Sequence, residues 1–253
     1  MYTVNNLSNN PNAKIIAEMG PFAVLEYQKD KSVDYQTAMN VYFCNEMNIR
    51  KRQVVCDMSK TSGVTVQAGA MQWMLGDVNA TTGIKGVGDL FGKAVRGKVT
   101  GESAIKPEYV GNGLLVLEPS YKHIIFINLA DWGGSVVLDD GLFLACESQI
   151  QHKAIMRSNF SSAVAGGEGL FNLGLKGNGV VALESPVPMD ELIEIELNND
   201  VLKVDGNFVV AWSNGLEFTV ERSGKSLIGS AASGEGLVNV YRGTGRILMS
   251  PVL

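Results

Sequence analysis

A chain of 253 residues with 45% apolar and 19% charged side chains can bury a sizeable core, which excludes an intrinsically disordered segment. Twenty-one basic residues against 26 acidic ones leave a net charge of −5, without the positive field of a general nucleic-acid or anionic-membrane binder. Twenty-nine glycines, well above the ~7% average, disfavour long helices and predict many turns between short strands.

Residues 1–14 are polar and Asn-rich, with neither the apolar stretch of a signal peptide nor the Arg-rich pattern of a transit peptide. Cys44, Cys56 and Cys146 form no C-x-x-C pair, so no disulfide framework or structural zinc site is expected. A reducing cytoplasm is the expected location. Short alternating runs at 22–27 and 53–57 read as strands. Next comes Val64-Thr-Val-Gln-Ala-Gly69-Ala-Met-Gln-Trp-Met, an apolar strand, a turn glycine and a second apolar strand. Residues 79–100 form the longest Gly-interrupted segment and read as a loop or lid, with one helical turn near Asp89 to Val95. Ile124-Ile125-Phe126-Ile127 is the strongest apolar run and is far too short to span a bilayer.

The strand–glycine–strand pattern returns at 136–145 around Gly141 and at 201–212 around Gly206. Each of the three reads as a hairpin whose glycine takes a positive φ. A second motif follows each one. Gly101-Glu102 leads to Gly111-Asn-Gly113, Gly167-Glu168 to Gly177-Asn-Gly179, and Gly234-Glu235 to Gly243-Thr-Gly245. The last glycines fall at 113, 179 and 245, 66 residues apart each time. This periodicity predicts one all-β domain over 1–253, built of three modules at about 1–120, 121–186 and 187–253. Residues 1–60 would complete the strands of the first copy. One module cannot close its own core, and three packed about a pseudo-threefold axis can.

These residues carry a resemblance. Gly-Ala-Met-Gln-Trp-Met at 69–74, Gly167-Glu-Gly-Leu-Phe171, Val204-Asp-Gly206, Val210-Ala-Trp212 and Ser233-Gly-Glu-Gly-Leu-Val238 resemble the altered-inheritance-of-mitochondria family over roughly residues 10–253. The resemblance implies a fold similar to that of the tryptophan RNA-binding attenuation protein (TRAP-like). That fold is a triplicated double-stranded β-helix or sandwich, assembled as a trimer. It implies no catalytic residues, and it places the chain in a bacterial cytoplasmic branch.

Tests for chemistry are mostly negative. His123 and His152 are the only histidines and lack the close His pair of a cupin metal site. They read as surface or strand-end residues. Gly92-Lys-Ala-Val-Arg-Gly97-Lys98 misses the P-loop hydroxyl at Val99, and Gly133-Gly-Ser135 lacks the last glycine of a nucleophile elbow. Cys146 lies in an apolar strand where burial blunts a thiol, and a cysteine nucleophile would need an imidazole partner. Glu102, Glu168 and Glu235 remain as candidate carboxylates, either converging on a cation or accepting backbone N–H bonds in their Gly turns. Arg50-Lys51-Arg52 and the group Lys93, Arg96 and Lys98 are small basic clusters that read as solvated faces. Val87, Leu90 and Phe91 could face a protein partner or pack between protomers.

The expectation is therefore a non-catalytic, oligomeric (trimeric) β scaffold that presents surfaces to protein partners. It has no cofactor and no membrane span, and nucleic acid is an improbable partner. The alternative is a small-molecule or RNA-binding module by fold analogy.

Overall fold

The computed structural model describes residues 2–81, 106–156, 171–222 and 237–252. Over these residues the protein is mostly β, its strands forming a nearly closed, barrel-like arrangement. The chain opens with the hairpin β1 (Ala13–Met19) and β2 (Phe22–Tyr27), turned at Gly20 with φ +57°. A helix, α1 (Ala38–Glu46), follows. After it comes β3 (Arg52–Asp57), and β1 and β2 extend the sheet beyond β3. The helix forms because its stretch lacks Gly and Pro, and because the Asp34 carboxylate accepts the N–H groups of Gln36 and Thr37 (2.8 and 2.9 Å) at its start.

From β3 onward three sets of strands each pair on both sides of a centre, all of it antiparallel. In the first, the central strand β6 (Glu108–Leu117) pairs on one side with β3 and β4 (Val64–Val66), and on the other with β5 (Met71–Thr81). In the second, the centre is divided into β11 (Phe171–Lys176) and β12 (Val180–Ser185). Their partners on one side are β7 (His123–Asn128) and β8 (Ser135–Leu138); on the other they are β9 (Phe143–Glu147) and β10 (Gln151–Met156). In the third, β16 (Leu237–Met249) lies between β13 (Ile193–Val204) and the pair β14 (Val209–Ser213) and β15 (Glu217–Arg222). The register shifts at Gln72 in β5, Leu144 in β9 and Val210 in β14, each left as an extra residue, and again between Leu197 and Asp200 in β13.

The G-x-G spacing has a steric cause in these ladders. A Cβ on Gly113 would lie 1.9 Å from the Leu75 carbonyl oxygen, one on Gly179 2.7 Å from Glu147 Oε2, and one on Gly245 2.8 Å from Ser213 Cβ. The second glycine of each motif thus lies where a neighbouring strand passes close by. Gly69, Gly141 and Gly206 do take positive φ (+83°, +76° and +87°), but they do not make hairpins. The strands on either side of each bond to opposite edges of the central strand, so the turn carries the chain across the sheet instead of joining neighbours.

Two joints link the segments. β4 pairs with β9 and β8 pairs with β14, giving a nine-stranded and a seven-stranded sheet. Among the described residues β5 pairs with β6 alone and β13 with β16 alone. The core follows the joints. One cluster joins Val54, Val64 and Leu115 to Leu144, Ala145 and Ala182; another joins Ile125, Val136 and Leu183 to Val210, Ala211 and Leu248. The third, around Trp212, Tyr241 and Ile247, contains no residue of the first segment.

Candidate functional site

Glu102, Glu168 and Glu235 lie outside the described residues, as do Val87, Leu90 and Phe91, the Lys93/Arg96/Lys98 group, the 92–98 motif and the turn expected near Asp89 to Val95. Of the 79–100 segment, residues 79–81 belong to β5. Among the described residues no three His, Cys, Asp or Glu side chains converge as a metal site would require.

The Arg50-Lys51-Arg52 cluster is not a solvated face. Arg52 is buried at 2% exposure, its Nε donating to Glu26 Oε2 (2.9 Å) and its second guanidinium nitrogen to the same oxygen (2.8 Å) and to the Asn48 carbonyl (2.9 Å). Arg50 lies 3.5 Å from the same Glu26 carboxylate and donates to Gln28. Lys51 Nζ is 2.6 Å from Asp30 Oδ2, a contact that holds the Asp30 carboxyl down at about 2. The cluster folds inward because β2 carries Glu26 beside it in the ladder, Glu26 standing opposite Arg52. Its charge serves internal pairing, so little is left to neutralise phosphate. Behind it, Tyr27 Oη donates to Gln53 (2.8 Å), and Gln53 Nε2 donates to Gln72 (2.6 Å) and the Leu117 carbonyl (2.8 Å).

The structure supplies the imidazole that Cys146 lacked in sequence. β9 turns into β10 and brings His152 Nε2 to 3.1 Å from Cys146 Sγ. The His152 ring stands edge-on to Phe143, centroids 5.6 Å apart, and Lys106 Nζ sits 4.2 Å from the Phe143 ring centre while donating to Gln67 (2.8 Å). His152 is therefore a packed strand residue, not a surface one. Burial, aided by the Lys106 charge, pulls the His152 pKa down to about 4, and burial pushes the Cys146 thiol up. Both shifts favour a neutral thiol beside a neutral imidazole, where an activated nucleophile needs thiolate and imidazolium. His123, at the start of β7, is also held below its usual value by burial and by Arg52.

Among the described residues the most exposed apolar feature is α1. None of its residues is buried, and Met39, Tyr42 and Phe43 on it are flanked by Tyr35 at 86% and Met47 at 75% exposure. A nine-residue helix is marginal in water without packing, and this one presents aromatic and Met side chains with no Lys or Arg among them.

A mostly β protein with a nearly closed, barrel-like sheet is the class these features define. Residues 46–252 match the family described as Mitochondrial biogenesis AIM24, and the chain belongs to it. It is 31% identical over 202 residues to an uncharacterized protein of Streptococcus pyogenes serotype M6, covering 77% of this chain and 79% of that one. The crystal structure of a Streptococcus pyogenes protein resembles it with a TM-score of 0.59 at 27% identity, over 81% of this chain and 90% of that one. The family match begins inside the last residues of α1, so β1, β2 and most of the helix lie outside it.

Proposed function

We propose that the chain is a single domain made of one three-armed β unit repeated three times about a pseudo-threefold axis. It acts as a non-catalytic, homotrimeric scaffold in the cytoplasm. The coincident registers, the bulges at Gln72, Leu144 and Val210 and the three glycine contacts support the repeat. The unactivated Cys146–His152 pair supports a non-enzymatic role, and three free cysteines suit a reducing compartment. The inward pairing of Arg50, Lys51 and Arg52 weighs against RNA as partner.

The observation that carries a protein-presenting role is α1, a helix with no fully buried residue and with Met39, Tyr42 and Phe43 exposed. Two measurements test the proposal together. Light scattering should return three times the 27.1 kDa chain mass, and a monomer would contradict the trimer. Pull-downs should recover a protein that the Tyr42→Asp/Phe43→Asp variant loses; equal recovery by both, or nothing above background, would contradict the role of the helix.

A further inference from the structure

We infer that the cleft where the segment after β2 meets Lys51 and Pro119 is a binding site for a small organic dianion, held by the ammonium groups of Lys29 and Lys31. The cleft lies within one chain, so the inference is independent of the repeat and of the number of copies.

The cleft measures about 330 Å³, toward the lower end of the range that small-molecule sites occupy. Its walls come from two parts of the chain. Asn10, Asn12, Tyr27 and residues 29–32 precede the family match, whereas Lys51 and Pro119 lie inside it. Backbone bonds fasten the first part in place. The Asn12 carbonyl accepts the N–H groups of Gln28 (2.7 Å) and Lys29 (3.3 Å), and the Tyr27 N–H donates to the Lys51 carbonyl (3.0 Å). Four consecutive residues, 29–32, line the same hollow, so the chain curls around it instead of running past as a strand, whose side chains would alternate away.

Three ammonium groups line the cleft against one carboxylate. That carboxylate, Asp30, is already engaged. Its Oδ2 meets Lys51 Nζ at 2.6 Å, and its Oδ1 accepts the Ser32 N–H (2.9 Å) and hydroxyl (2.5 Å). Lys51 is thereby committed to Asp30 and also stands 5.8 Å from the Tyr121 ring centre. Among the described residues Lys29 and Lys31 have no ion-pair partner. The cleft therefore holds two uncompensated positive charges in a chain whose net charge is −5. A concave wall of one sign concentrates ions of the other. Two negative charges match the two free ammonium groups, and a short carbon skeleton matches the Tyr27 ring and Pro119 beside them. A phosphomonoester and a dicarboxylate share that chemistry.

The test is isothermal titration calorimetry on the full chain at low salt, at a pH above the second phosphate pKa of about 6. Glycerol 3-phosphate and succinate are titrated in separate arms. Saturable binding of at least one probe is expected. Binding of the first alone assigns a phosphomonoester, of the second alone a dicarboxylate, and of both the dianion as such. The Lys29→Gln/Lys31→Gln variant should bind about tenfold more weakly, as the loss of two exposed charge contacts predicts. The Lys60→Gln/Lys203→Gln variant, which removes two exposed lysines elsewhere, should bind as the wild type does, with urea unfolding showing both variants folded. No saturable binding of either probe would overturn the inference. Equal weakening in both variants would overturn it too, since the chain's overall charge and not the cleft would then hold the anion.

Discussion

On the three-unit reading proposed above, the β8–β14 joint and the strands β5 and β13 occupy corresponding places and differ in one chemical respect. Where Val137 sits buried at 3% exposure in the first, Lys203 stands exposed in the second; where Leu144 and Val210 fill the bulges of the joined arms, Gln72 fills the bulge of the unjoined one. On that reading a unit keeps its backbone plan while two or three side chains per arm change its surface from dry to wettable.

The comparison breaks most severely at glycine. Gly111, at φ +120°, would place a Cβ 1.9 Å from the Asp77 carbonyl oxygen, whereas its counterpart Gly243, at φ +119°, has its nearest neighbour 3.7 Å away. Gly111→Ala is expected to cost about 4 kcal/mol or prevent folding, against about 1–2 kcal/mol of backbone strain for Gly243→Ala, both read from urea unfolding.

Exchanging the joint chemistry comes next. Val137→Lys buries an unpaired charge in a sealed joint and is expected to lower stability by about 3 kcal/mol. Lys203→Val at the open position is expected to change it by no more than about 0.5 kcal/mol under dilute, monomeric conditions. Equal losses would mean that the two places are not counterparts.

The smallest effect is a titration confined to the sealed side. Cys146 lies in the β4–β9 joint and contacts His152, whose pKa is about 4 in the folded chain and ordinarily 6.5. Between those values the unfolded chain binds the proton that the folded chain refuses. Stability is therefore full above pH 6.5, falls as the pH drops toward 4, and levels off below it, by up to about 3 kcal/mol. His152→Gln should flatten that slope in unfolding curves taken at several pH values, and an unchanged slope would assign it to other groups.

Much of the strand plan was legible because the G-x-G motif records a steric fact. A Cβ at Gly113 would strike the Leu75 carbonyl oxygen, and one at Gly179 or Gly245 would meet the Glu147 or Ser213 side chain of a neighbouring strand. The corner glycines were legible as turns but not as crossings, since a positive φ at Gly69 says how the chain bends and not which strand it will bond. α1 was missed because its Met and aromatic residues bury nothing and so follow no packing period. The Cys146–His152 contact was missed because it forms across the turn between β9 and β10, six residues apart, and not within one strand. The even spacing of the two residues was the available signal, and it needs the intervening turn to be known before it means anything. Arg52 looked like one of three surface cations, and only its ladder partner Glu26 reveals that it is buried.

A crystal structure of this chain, with its three segments overlaid on their central strands, tests the account most directly. The account predicts that β6, β11 with β12, and β16 superpose together with both flanking arms, the bulges at Gln72, Leu144 and Val210 coinciding. Flanking arms paired in a different register in any one segment, or a bulge displaced from the other two, would contradict it.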